Sequence, residues 1–300
     1  MASLCTDHAL LLGRTPFGES SLVVQVLTKR TSRAHIMARG AYRPTSGYCG
    51  TLDLFDTLEL DWRPRDAGGL GELRGARILV RRRSIVASLA TYRAALSVLE
   101  LLDLAARPGQ PEAGMFRLAE SALDQLDTLG AQERAAAEGT EAAARIDLVR
   151  IAFDLGFLNE LGLAPALDRC AACGREAPPP GSGAPRTHFA PAQGGRLCRR
   201  CAEGARTLGA PVLEVESTVL EAGALLLAHG PDARSQTAPP SGTLSTAQRR
   251  RLAELVEDFL EQHLEQRPRS RARSHPPGPR GHGARSPVLP PPSAHPTARP

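Results

Sequence analysis

Three hundred residues, 42% of them hydrophobic, can bury a sizeable core and fill two or three domains. The formal net charge of +5 is unevenly spread: 13 basic against 8 acidic residues in 1–85, 17 against 24 in 86–266, and 7 against none in 267–300. A basic first domain suits a polyanion and the acidic middle does not. No apolar run approaches the ~20 residues that a membrane span needs.

In chain order, residues 8–80 read as all-β. Candidate strands are Leu10–Arg14, Leu22–Leu27, Arg33–Arg39, Leu52–Trp62 and Leu73–Val80, the third and fourth alternating at period two. Only Asp56 breaks the stripe Leu52, Leu54, Leu58, Leu60, Trp62. Turn signals at Pro16–Gly18, Pro44–Gly47 and Pro64–Gly71 separate the strands. Five short strands at this spacing suit a small closed barrel such as an OB-fold.

After Arg83 the period becomes helical, with Leu89, Tyr92, Leu96 and Leu99 on one stripe before Pro108. Further helices are expected over 112–129, 141–162, 214–229 and 244–265. The fold class is therefore α+β: a barrel at 1–83, a helical domain at 84–266 interrupted by a cysteine module at 168–205, and a tail at 267–300. That tail holds ten prolines and seven arginines but no aromatic residue, so it is expected to stay disordered.

Cys170-Ala-Ala-Cys173 and Cys198-Arg-Arg-Cys201 carry the clearest chemistry, with 24 residues between the pairs. Two C-x₂-C turns facing each other supply a closed tetrahedral S₄ site for Zn²⁺, which is structural because no position is left for water or substrate. The usual gap is ~15–20 residues, and the excess is a Pro/Gly-rich loop at 178–185. Four ordinary thiols, or two disulfides, are the alternatives. The N-terminus has no basic region followed by a long apolar stretch, so a cytoplasmic protein with reduced thiols is expected. Cys5 and Cys49 have no partner pattern and read as small buried hydrophobes.

Arg33, His35 and Arg39 share one strand face, with Tyr42, Arg43 and Tyr48 on the next loop and Arg81–Arg83 at the end of the barrel. Arginines neutralise phosphates and tyrosines stack on bases, the pairing that OB-folds use on single strands. A solvated strand face with half-buried tyrosines is the alternative. Arg169, Arg175, Arg196, Arg199 and Arg200 flank the cysteines and could add a second patch. Lys29, the sole lysine, follows Thr28 and no glycine, which excludes a P-loop. There is no G-x-S-x-G or H-E-x-x-H. His263-Leu-Glu265 lies after both cysteine pairs, the wrong order for a zinc deaminase.

The order basic barrel, helices, paired cysteines, helices resembles the RecO family of bacterial DNA repair proteins. Local stretches are similar too: Gly18–Thr28 and Ala38–Pro44 to the family's first strands and following turn, Phe157–Pro165 and Leu167–Gly174 to its approach to the metal site, and Phe189–Gly195 ahead of Leu197. The resemblance covers roughly residues 7–265. It implies a non-enzymatic recombination mediator that binds single- and double-stranded DNA and anneals complementary strands. It also implies help in loading RecA onto strands coated with single-strand-binding protein, with that protein and RecR as partners, in a nucleoid-associated, cytoplasmic setting. The expected DNA contacts are Lys29, Arg33, Arg39, Arg43, Arg81, Arg82 and Arg83; the expected zinc ligands are Cys170, Cys173, Cys198 and Cys201. The turn Ala41–Ser46 is less basic than the family's usual one, which weakens or moves the footprint, and the arginine-rich tail has no family counterpart. That tail is expected to act as a salt-sensitive DNA tether. An RNA-binding or transcription-associated barrel and ribbon protein is the alternative function.

Overall fold

A computed structural model describes residues 3–48, 50–65, 69–107, 110, 113–135, 140–182, 184–230, 244–264 and 270. The strands β1 (Cys5–Phe17), β2 (Ser21–Thr28), β3 (Ser32–Ala38), β4 (Thr57–Arg63) and β5 (Gly71–Val80) close into a barrel in the order β1-β2-β3-β5-β4. Every pairing is antiparallel except β3 with β5, which run parallel at Ile36–Gly71 and Met37–Glu72. This is the expected OB-like barrel. Its interior is filled by alternate residues, among them Val24, Val26, Ile36, Ala38, Leu58, Leu60 and Trp62.

The alternation fails where the barrel is covered on both faces. Ala9, Leu10 and Leu11 are all buried, because Ala9 and Leu11 fill the barrel while Leu10 and Leu27 join the helical core outside it. The fourth strand also begins later than the stripe suggests, at Thr57 rather than Leu52. Phe55 adopts a left-handed backbone (φ 72°), which ends the extended run, and its ring meets Tyr92 edge-on at 5.7 Å. Asp56, the residue that broke the stripe, is buried and accepts the Arg82 backbone N–H at 2.9 Å. Burial pushes the Asp56 carboxyl up, and the Arg82 N–H and Arg81 guanidinium work against that shift.

Helices α1 (Leu89–Ala105), α2 (Ala113–Ala135), α3 (Thr140–Glu160), α5 (Ser217–His229) and α6 (Thr246–Leu264) pack around Phe116, Phe153, Phe157 and Phe259. Ser88 starts α1 by accepting the Thr91 N–H, an N-cap. Barrel and helices are joined closely. Asp127 on α2 accepts the backbone N–H groups of Ser84 and Ile85 at 2.6 and 3.2 Å. At Gly130 an added Cβ would lie 2.1 Å from the Ser84 carbonyl oxygen, so only glycine permits this approach.

The cysteine segment holds more regular structure than its sequence suggests. Strands β6 (Arg186–Ala190), β7 (Gly195–Leu197) and β8 (Leu213–Glu216) form a small sheet in the order β7-β6-β8, and α4 (Arg199–Thr207) follows the second cysteine pair. Strands of three to five residues are too short to show a period. The helix expected at 214–229 accordingly divides: Leu213-Glu-Val-Glu216 alternates as β8, burying Val215, and α5 starts only at Ser217. No described helix is long and apolar enough to cross a membrane. Cys49, and the tail at 267–300 apart from Ser270, lie outside the described residues.

Candidate metal centre and candidate nucleic-acid interface

Cys170, Cys173, Cys198 and Cys201 converge so that their four sulfurs lie within 4.8 Å of one another, a cluster that could hold a metal ion. Two local devices build it. In the first turn, Gly174 (φ 72°) donates its N–H to the Cys170 carbonyl at 2.8 Å, and Ala171 N–H donates to the Arg196 carbonyl on β7. In the second, Cys198 caps α4, so Cys201 follows one helical turn later on the same side. Gly195 seats the two halves together: its φ is 131°, and a Cβ there would stand 2.5 Å from the Ala166 oxygen.

Burial alone would push the Cys170 thiol up, but backbone N–H groups of Cys198, Cys173 and Ala172 outweigh it and bring the pKa to about 6. Cys201 is pushed up to about 12, chiefly by hydrogen bonding to the Cys198 and Cys173 sulfurs. A thiolate is therefore favoured at Cys170 and resisted at Cys201. Of the flanking arginines, Arg196 is buried and donates to the Leu167 carbonyl, so it belongs to the module's interior and not to a basic patch. Arg169 and Arg199 pair with Asp168 and Glu203 at 3.6 and 3.0 Å.

The barrel carries a separate feature. A groove of about 520 Å³ opens between the turn after β3 and the start of β5. Arg39, Arg43, Tyr48 and Arg74 line it, with no carboxylate among the lining residues. The parallel β3–β5 pairing explains why Arg39 and Arg74 meet: each lies two residues beyond the bridged pair Met37–Glu72. Two successive turns then bring Arg43 back, with Arg43 N–H on the Gly40 carbonyl and Ser46 N–H on the Arg43 carbonyl. Glu72 pairs with Arg74 at 2.8 Å and with Arg39 at 3.7 Å, while Arg43 has no ion-pair partner among the described residues. Arg39 and Arg74 thus share one carboxylate, and Asp61 lies behind Gly75, so the basic excess of the groove rests chiefly on Arg43. Burial, offset by Arg74 and reinforced by Glu72, holds the Tyr48 phenol above its ordinary pKa; its hydroxyl donates to the Leu73 carbonyl at 3.4 Å.

The seven basic residues singled out in the sequence are not one surface. Arg39 and Arg43 share the groove. Lys29 and Arg33 sit at the other end of the β2–β3 hairpin, six residues or about 20 Å along the strand from Arg39. Arg33 pairs with Asp103 of α1 at 2.7 Å. Arg81 reaches Asp56 at 3.3 Å and the Gly50 carbonyl at 2.7 Å. Arg83 is exposed. Arg82 is withdrawn from the surface set: only 4% exposed, it donates to Asp124, the Phe55 carbonyl and Thr57, joining barrel to α2. A run of three arginines cannot all face solvent where a strand leaves a barrel under a helix, because successive side chains turn to opposite faces. Arg74 was missed. The alternation of Glu72, Arg74 and Ala76 against Leu73 was its signal, and the parallel pairing that places it beside Arg39 is a long-range fact.

Comparison with known proteins decides the family. Residues 1–81 match the model for the N-terminal part of recombination protein O, and residues 87–215 match that for its C-terminal part. The chain belongs to the RecO family. Among its relatives is a DNA repair protein RecO of Anaeromyxobacter sp. (strain Fw109-5), 32% identical over 258 residues, covering 86% of this chain and 90% of that protein. Another, from Myxococcus xanthus (strain DK1622), is 28% identical over 207 residues, covering 67% and 73%. A third, from Bacillus pumilus (strain SAFR-032), is 26% identical over 198 residues, covering 66% and 68%. Membership of the RecO family places the chain among proteins of DNA repair and recombination.

Proposed function

We propose that this protein is a non-enzymatic recombination mediator that binds single- and double-stranded DNA through its barrel and anneals complementary strands. In the same reading it assists RecA loading on strands coated with single-strand-binding protein, with that protein and a RecR-like protein as partners at the nucleoid. The observation that carries it is the arginine-lined groove of Arg39, Arg43 and Arg74 beside Tyr48, on an OB-like barrel in a DNA repair family. Guanidinium groups fork onto phosphates and release their counterions, which supplies affinity without covalent chemistry. Two strands brought to one positive surface repel each other less, and base pairing then supplies the driving force. Lys29, Arg81 and Arg83 would extend the footprint, with the folding unit of the barrel taken as residues 1–83, the helical unit as 84–266 and the tail 267–300 as a tether.

The cysteine cluster is proposed as a structural zinc site in the module at 168–205. Its donor set fits: four sulfurs at Zn–S of about 2.3 Å form a tetrahedron with edges of about 3.8 Å, and Cys173 and Cys198 stand 3.9 Å apart. Zinc there would neutralise the four thiolates and fix β7 and α4 to the first cysteine turn.

The test is annealing of complementary oligonucleotides precoated with the cognate single-strand-binding protein, followed by fluorescence quenching. The rate is expected to rise well above the protein-free control. No acceleration by a folded, metal-loaded protein would reduce the reading to family architecture, and a preference for RNA over single-stranded DNA would favour an RNA-binding role.

A further inference from the structure

The chain has only eleven aromatic residues. Nine are buried or half-buried, as expected of large apolar side chains. The two exceptions, Phe17 at 59% and Tyr42 at 54% exposed, occur at the same end of the barrel. Phe17 closes the β1–β2 hairpin opposite Ser21, and Tyr42 donates its backbone N–H to the neighbouring Ser20 carbonyl at 3.0 Å. Gly40 N–H reaches the Ser21 hydroxyl as well, so hairpin tip and post-β3 turn form one rim. That turn also carries Arg39 and Arg43 of the groove.

The hairpin projects. β1 pairs with β4 only over Cys5–Leu10, so Gly13–Phe17 have β2 as their strand partner, with Arg14 reaching the Leu52 carbonyl and Asp53, each at 3.2 Å. Gly18 at its tip has nothing within 4 Å of an added Cβ. A single exposed apolar residue needs no explanation. Two exposed rings on a rim that also bears Arg39 and Arg43, the latter without an ion-pair partner among the described residues, match a particular ligand: a polyanion with flat, accessible π-faces. Single-stranded DNA has such faces, whereas a duplex already uses its faces in its own stack.

We propose that Phe17 and Tyr42 form a base-stacking platform that gives the arginine groove its preference for single-stranded over double-stranded DNA. The inference rests on the DNA-binding reading of the groove and adds to it the feature that discriminates between strands. Arginines supply salt-dependent affinity to either form; the rings respond only to unstacked bases.

Binding of the full-length protein to a single-stranded oligonucleotide and to a duplex of the same length, read by fluorescence anisotropy, separates the two contributions. Phe17→Ala and Tyr42→Ala should each lose about fivefold or more on the single strand and change less than about twofold on the duplex. The slope of log affinity against log salt should stay put, and Phe17→Trp should retain single-strand binding. Equal losses on both substrates, or none on either, would overturn the platform while leaving the groove in place. Unchanged DNA binding with a shift from dimer to monomer in sedimentation would overturn it in favour of a self-association surface. If the wild type binds neither substrate, the DNA-binding reading itself falls with it.

Discussion

Replacing Cys198 with serine is expected to lower metal content and thermal stability together. Around the cysteines the core is only Cys170, Ala190, Leu197, Ala202 and Ala205, mostly small side chains, although Leu167, Phe189 and Val215 anchor the rest of the module in the helical core. Structural zinc contributes about 10–16 kcal/mol in zinc-finger peptides, so loss of one of four ligands should cost the module more than about 4 kcal/mol. Cys198 is also the N-cap residue of α4, but its side chain makes no capping hydrogen bond and serine suits that position, so the loss reports the ligand and not the cap. A chelator acting on the wild type should reproduce the effect. Cys5→Ser is the control, because Cys5 lies on the barrel beside Thr31, away from the cluster. Full metal retention by Cys198→Ser at the wild-type melting temperature would show that the ligands are wrongly assigned.

Arg82→Met should destabilise the junction between barrel and helices by about 3 kcal/mol. Its side chain is buried and supplies Asp124 at 2.7 Å, the Phe55 carbonyl at 2.7 Å and Thr57 at 3.1 Å. Removing it strands the Phe55 carbonyl in a place closed to water. Breaking a fully buried pair costs about 3–5 kcal/mol. The low end applies here, because the Asp124 side chain is 58% exposed and can rehydrate. Lysine should not rescue it, since one ammonium cannot reproduce the fork across three acceptors. DNA affinity and its salt dependence should be unchanged at temperatures where the variant is folded. A stable Arg82→Met protein with a shallower salt slope would instead put Arg82 on phosphate, as its place in the Arg81–Arg83 run first suggests.

The sequence shows most of this architecture and little of the interface. Barrel strands and helices follow from period-two and helical stripes, which are local, and the cysteine cluster follows from spacing within two short turns. Phe55 illustrates what local pattern misses: it looks like a member of a strand, yet a left-handed backbone turns it into the helical core. β8 merges with the start of a helix in the sequence because four alternating residues adjoin a longer helical stripe. The groove was half visible. Arg39 and Arg43 are neighbours along the chain, but Arg74 joins them only through the parallel β3–β5 pairing, and Arg82 leaves the surface only because α2 covers it.

The salt dependence of single-strand binding tests the central claim most directly. The wild type would be compared with a variant carrying Arg39→Ala, Arg43→Ala and Arg74→Ala, after circular dichroism shows that both are folded. Each phosphate contact on a single strand contributes about 0.7 to the slope of log affinity against log salt, so three lost contacts should flatten it by about 2. An unchanged slope in the folded variant would contradict the account and place the DNA, if it binds, on another face of the protein.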